Sequence, residues 1–123
     1  MAKRILTVDD NDDILNVVGF ALEDAGFEVR AAHNQHEMEA ALAQGLPDLM
    51  VLDLMLPGAN GYQVLQKLHD NDQTRDIPVI VMTAKAEALY RHMSADLGVA
   101  HHFTKPFPTE ALVTEAQTIL HER

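Results

Sequence analysis

Short apolar runs alternate with helix-length amphipathic segments along the whole chain, and this alternation narrows the available folds more than any other feature. Ile5-Leu6-Thr7-Val8, Leu49-Met50-Val51-Leu52 and Val79-Ile80-Val81-Met82 are too continuously apolar for a sheet with one wet face. They read as strands covered on both sides. Strands are expected at Arg4–Val8, Glu28–Ala32, Leu49–Asp53, Pro78–Thr83 and Ala100–Phe103. Between them, apolar residues recur at helical spacing. Ile14, Val17, Val18, Ala21, Leu22 and Ala25 mark a first helix over about Asn11–Ala25 that stops at Gly26. Met38, Ala41 and Leu42 mark a second, and Val64, Leu65 and Leu68 a third. Ala86, Leu89, Tyr90, Met93 and Leu97 mark a fourth, and Leu112, Val113, Ala116, Ile119 and Leu120 a fifth. Five βα units predict an α/β domain with a parallel sheet.

The chain has 123 residues, the size of one compact domain, so residues 1–123 are read as a single unit. Lys and Arg number 9 against 19 Asp and Glu, a net charge of −10, which opposes the electrostatic attraction that dominates nucleic-acid binding. Direct nucleic-acid contact is therefore not expected, and any DNA contact belongs to another domain. With no cysteine, thiol catalysis and disulfide staples are excluded. The start, Met1-Ala2-Lys3-Arg4, reaches the acids too soon for a secretory h-region or a membrane span. The expectation is a soluble cytoplasmic domain without a membrane association.

In an open parallel sheet the carboxyl ends of the strands share one edge. The first strand runs into Asp9-Asp10, the third into Asp53, the fourth into Thr83-Ala84, and the fifth into Thr104-Lys105-Pro106. Three carboxylates, a hydroxyl and an ammonium thus converge in one crevice. Clustered carboxylates raise one another's pKa unless a cation neutralises them, and oxygen-only ligands with an open side suit Mg²⁺. Asp53 reads as a nucleophile able to form an acyl phosphate, Thr83 as a donor to a phosphoryl oxygen, and Lys105 as a point positive charge on that group. Pro106 suggests a turn holding the lysine, with a cis bond allowed. The plainer reading of Val8-Asp9-Asp10-Asn11-Asp12-Asp13 is that Asp10, Asp12 or Asp13 caps the first helix, where negative charge is favoured. The matching acid at Asp53 argues against capping alone for Asp9-Asp10.

With Ile5-Leu6-Thr7-Val8-Asp9-Asp10, Val51-Leu52-Asp53-Leu54-Met55-Leu56-Pro57-Gly58, Val81-Met82-Thr83-Ala84 and Thr104-Lys105-Pro106-Phe107, the chain resembles a response-regulator receiver domain of two-component signalling, of the chemotaxis-regulator-like kind. The resemblance implies a flavodoxin-like doubly wound sheet of order 2-1-3-4-5. It implies Asp53 as phosphoacceptor, Asp10 and Asp53 as direct Mg²⁺ ligands, Asp9 holding the metal through water, and the Met55 backbone carbonyl as a further ligand. Thr83 and Lys105 would contact the phosphoryl group. A sensor histidine kinase or histidine phosphotransfer protein would donate that group, and self-catalysed transfer and hydrolysis would be the only chemistry. A changed face of fourth helix, fifth strand and fifth helix would then control a downstream protein or fused output domain.

Two positions depart from the family pattern. Asn60-Gly61 stands where Asp-Gly is usual, a mild change because Asn serves the same turn chemistry. His102 stands three residues before Lys105, where the family carries Tyr or Phe as the switch aromatic; Phe103 cannot replace it, since adjacent strand residues face opposite ways. The switch is therefore assigned to Thr83 and His102. The pairs His33/His36 and His101/His102 lack the partners of a zinc site and read as surface or half-buried histidines.

Two other protein classes compete for these residues. Asp10-Asn11-Asp12 imitates the Asp-x-Asp of Mg²⁺-dependent aspartyl-phosphate phosphohydrolases, which need a further acidic pair after the lysine; beyond Lys105 only Glu110, Glu115 and Glu122 remain. A flavin-binding flavodoxin needs a neutral hydroxyl-rich loop where this chain has Asp9-Asp10.

Overall fold

The computed structural model describes residues 2–56, 58, 60–83 and 99–121. Five strands, β1 (Arg4–Val8), β2 (Glu28–Ala32), β3 (Leu49–Asp53), β4 (Val79–Thr83) and β5 (Val99–Thr104), form one parallel sheet of order β2-β1-β3-β4-β5. The described helices are α1 (Asp12–Asp24), α2 (Gln35–Gln44), α3 (Gly61–Asp70) and α4 (Thr109–His121). The helix expected fourth, with Ala86, Leu89, Tyr90, Met93 and Leu97, lies outside the described residues, so the helix expected fifth is α4 here.

Period-two alternation sorts the strand side chains into two cores. Leu6, Val8, Met50, Leu52, Val79 and Val81 face Met38 and Ala41 of α2 and Val64, Leu65 and Leu68 of α3. Ile5, Leu49, Val51, Ile80 and Met82 face Val18 and Leu22 of α1 and Leu112, Ala116 and Leu120 of α4. Every residue of β3 and β4 is buried, which explains their unbroken apolar runs. β2 and β5 are the edges and carry mostly exposed or half-buried residues. That exposure also explains why β5 runs from Val99 to Thr104, slightly longer than its weak apolar signal over Ala100–Phe103 indicates.

The caps settle one question the acids left open. Asn11 is the N-cap of α1, with extended backbone and a side-chain oxygen accepting from the Asp13 and Ile14 N–H groups at 2.9 and 3.2 Å. Asp10, Asp12 and Asp13 are therefore not the cap. Asp12 and Asp13 lie in the first turn, where their charge favours the helix dipole. Asn60 caps α3 in the same way, accepting from Tyr62 N–H at 2.9 Å. The next residue, Gly61, is buried, and a Cβ there would press against the Leu54 carbonyl oxygen and lie 2.8 Å from Leu54 Cα. A side chain at 61 would push on the loop that follows Asp53.

His33 follows β2 and joins the starts of two helices. Its Nε2 lies 2.6 Å from Asp12 Oδ1, and its Nδ1 lies 2.8 Å from Glu37 Oε1. These hydrogen bonds, to Glu37 and then to Asp12, raise its pKa, while Glu37 is lowered first by the His33 backbone N–H and then by the imidazole. A raised histidine pKa contributes stability that is complete below its ordinary value of about 6.5 and is lost as pH rises through the folded value. His33→Gln, which cannot charge, removes that dependence. Urea midpoints for the two proteins diverge at about pH 5.5 and converge toward about pH 8.5. Parallel curves would mean that the imidazole pairs contribute nothing.

Candidate functional site

The carboxyl edge of the sheet carries the side chains that the strand ends predict. Asp9 leaves β1 with its N–H on the Ala32 carbonyl at 3.1 Å, and its carboxylate is 0% exposed. Its Oδ1 accepts from Asn11 N–H at 2.9 Å, so the acidic loop closes on itself before α1 begins. Asp10, the next residue, is exposed. Asp53 ends β3 beside Met82 of β4, is 3% exposed, and accepts from Met55 N–H at 2.9 Å through Oδ1.

Lys105 arrives from β5 and closes the cluster. Its N–H donates to the Thr83 carbonyl at 2.7 Å, which ties the lysine backbone to the end of β4. The Lys105–Pro106 bond is cis. From this anchor Nζ reaches Asp9 Oδ2 at 2.7 Å and Asp53 Oδ2 at 3.1 Å. One ammonium thus bridges two buried carboxylates, a role that Lys105 was not assigned from its sequence position. Thr83 is 5% exposed at the end of β4, paired with Thr104.

The electrostatics leave a deficit of positive charge. Ligand oxygens of Asp9, Asp10 and Asp53 all lie within 4.8 Å of one another. Burial, and then the charge of Asp9, push the Asp53 carboxyl above the usual carboxylate range, against the Met55 N–H and Lys105, which hold it down. Burial lowers the Lys105 pKa, but its hydrogen bonds to Asp9 and Asp53 outweigh that and raise it, so the lysine stays charged. Three carboxylates around one ammonium, all oxygen donors with Asp10 open to solvent, fit a hard divalent cation. Among the described residues this is the one cluster of metal-ligating side chains. The zinc reading of the histidines therefore gains nothing. His33 faces Asp12 and Glu37 on opposite sides of its ring, and the His101 ring lies 4.6 Å from that of Phe103, tilted by 47°, with Nδ1 3.7 Å from Glu115.

His102 lies outside the carboxylate cluster. It is half-buried on β5 opposite Val81, while Phe103, opposite Met82, joins the core with Phe107 on the α1–α4 side. The two neighbours face opposite ways, as the strand period requires. Sequence reading did not find Asn11, Gly61 or the His33 contacts. Asn11 stood among stronger acidic signals, and Asn60-Gly61 carried a turn signal without any sign of the approach to Leu54.

Residues 5–117 match the family described as the response regulator receiver domain, and the chain belongs to that family. It is 37% identical over 120 residues to the phosphate regulon transcriptional regulatory protein PhoB of Pseudomonas aeruginosa, covering 98% of this chain and 52% of that protein. It is also 37% identical over 117 residues to the DNA-binding dual master transcriptional regulator RpaA of Synechocystis, covering 95% of this chain and 48% of the relative. The chain thus spans about half the length of these curated relatives. A CheY-like receiver domain protein from Methanospirillum hungatei superposes with a TM-score of 0.90 at 29% identity, over 99% of this chain and 96% of that one. The flavodoxin-like sheet order is therefore the family's. The phosphohydrolase alternative is not favoured: Glu115, one of the acids after Lys105, pairs with His101 and not with the cluster.

Proposed function

We propose that residues 1–123 act as one phosphoryl-accepting switch, with Asp53 as the acceptor. The observation that carries this reading is the bridge from Lys105 to Asp9 and Asp53, which gathers the ends of β1, β3 and β5 around one buried carboxylate. In the step proposed, an Asp53 carboxylate oxygen attacks the phosphorus of a phosphohistidine. The nitrogen–phosphorus bond breaks, and the imidazole leaves with the electron pair. Lys105 then turns from neutralising Asp53 to holding the phosphoryl oxygens, and Thr83 donates its hydroxyl to another. Asp9, Asp10 and Asp53, with the Met55 backbone carbonyl, are the groups that would hold Mg²⁺, which would supply charge neutralisation for the transferring group. Hydrolysis of the acyl phosphate by water resets the domain.

The donor is a sensor histidine kinase or phosphotransfer protein, and the receiver of the signal is a downstream protein or attached output domain. We place the reporting surface on β5, α4 and the helix that the sequence leads one to expect before β5, with Thr83 and His102 as the moving parts. The relatives named above are transcriptional regulators. With a net charge of −10, this chain is not the part we assign to DNA. No described helix is long and apolar enough to cross a membrane, and a cytoplasmic location is the setting that suits the proposed partners.

Incubation with Mg²⁺ and acetyl phosphate is expected to label Asp53 stoichiometrically; turnover of added phosphate esters without a labelled aspartate would favour a phosphohydrolase. Asp10→Ala is expected to weaken Mg²⁺ binding about tenfold or more, since it removes a direct carboxylate ligand. Equal affinity by titration would place the cation elsewhere. His102 is half-buried on β5 and smaller than the Tyr or Phe usual at that place, so coupling between a phosphoryl mimic at Asp53 and the β5 face, followed by NMR, should change in His102→Phe. An identical response in the two proteins would remove His102 from the switch.

A further inference from the structure

Met55 differs from the other methionines described. It is 45% exposed, against 2% for Met38 and 0% for Met50 and Met82. Its place is also held. The Leu54 N–H donates to the Met82 carbonyl at 3.1 Å, and the Met55 N–H to Asp53 Oδ1 at 2.9 Å. Leu54 and Leu56 on either side are each only 4% exposed. With both neighbours occupying the inward positions, the thioether stays outside the core, two residues from the buried Asp53 carboxylate and on the same short turn.

We propose that Met55 is a peroxide-modification site whose oxidation slows phosphoryl transfer to Asp53; the second half of this inference rests on the phosphoacceptor reading above. A sulfur lone pair attacks one oxygen of hydrogen peroxide and the O–O bond breaks. The departing hydroxide takes the proton of the oxygen now bound to sulfur and becomes water, and the sulfur ends as a sulfoxide, oxidised by two electrons while the peroxide is reduced. The apolar thioether becomes a polar group whose oxygen only accepts hydrogen bonds. Asp9, Asp10 and Asp53 already outnumber the one ammonium there. A donor adds anionic phosphoryl oxygens, so a further negative dipole and its water shell in the pocket that Met55 lines with Thr83 oppose the approach.

The folded chain is treated with hydrogen peroxide, mapped by peptide mass spectrometry, and assayed for labelling by acetyl phosphate with Mg²⁺, each protein being compared with itself before treatment. The Met55 peptide is expected to gain one oxygen well before those of Met38, Met50 and Met82. Wild-type labelling should fall several-fold and recover after methionine sulfoxide reductase, while Met55→Leu keeps its own untreated rate. Oxidation of the buried methionines as fast as Met55 overturns the site. Equal proportional losses in wild type and Met55→Leu, or an undiminished rate in oxidised wild type, overturn the effect on transfer. If untreated wild type takes no label at all, the phosphoacceptor reading fails and the second half falls with it, while the peptide map still decides the first.

Discussion

Asp53→Asn is expected to lose all labelling by acetyl phosphate and Mg²⁺ while the folded protein becomes no less stable. The loss follows from chemistry: an amide oxygen is too poor a nucleophile to form the acyl phosphate. The stability follows from the site. Burial and the charge of Asp9 already push the Asp53 carboxyl upward, so its ionised form is disfavoured in the fold. For a raised carboxyl pKa the sign is that ionisation costs stability above the ordinary value, and a neutral isostere removes that cost. Asn retains an oxygen for the Met55 N–H, and Lys105 retains Asp9 at 2.7 Å. A urea melt near neutral pH should therefore show an unchanged or higher midpoint. A labelled Asp53→Asn protein would sink the phosphoacceptor assignment, and a lowered midpoint would mean that the carboxylate contributes more as an anion than its surroundings indicate.

Lys105→Ala should show the opposite balance. Lys105 is the one cation paired with Asp9 and Asp53 among the described residues, and removing it leaves two buried carboxylates side by side. Stripping one partner from a buried ion pair costs about 3–5 kcal/mol, less where Asp53 escapes by taking up a proton. The variant should be markedly less stable without divalent cation, and Mg²⁺ should restore much of the loss by linkage. Its Mg²⁺ affinity should hold or rise, because a competing positive charge has gone, while phosphoryl transfer falls for want of the phosphoryl contact. Calorimetric titration together with labelling checks all three. A variant as stable as wild type in chelator, with full labelling, would make Lys105 an ordinary lysine.

Much of this domain was legible because its signals are local and repeat. The runs at Ile5–Val8, Leu49–Leu52 and Val79–Met82 carry the composition of doubly covered strands, and a parallel sheet necessarily puts their final residues on one edge. Asp9, Asp10, Asp53 and Lys105 could be gathered from strand ends alone for that reason. The strand β5 was the faintest because an edge strand need not be apolar, and its extra residues Val99 and Thr104 are placed by pairing with β4.

The sequence by itself determined the strand and helix periods, the order of the βα units and the chemical types brought to the carboxyl edge, since each depends on residues near one another in the chain. Only the tertiary structure decided which of these groups touch. Lys105 lies 96 residues from Asp9 and 52 from Asp53, and its bond to both depends on the Thr83 carbonyl holding its backbone. Asn11 prevailed over four nearby acids because a cap needs a particular backbone geometry and reach, not the most charge. His33 meets Asp12 only because β2 lies beside β1, and Gly61 is confined by Leu54 only because the loop after β3 folds back over the start of α3. Periodicity constrains which face a residue takes, whereas distances between remote segments are set by how those faces pack.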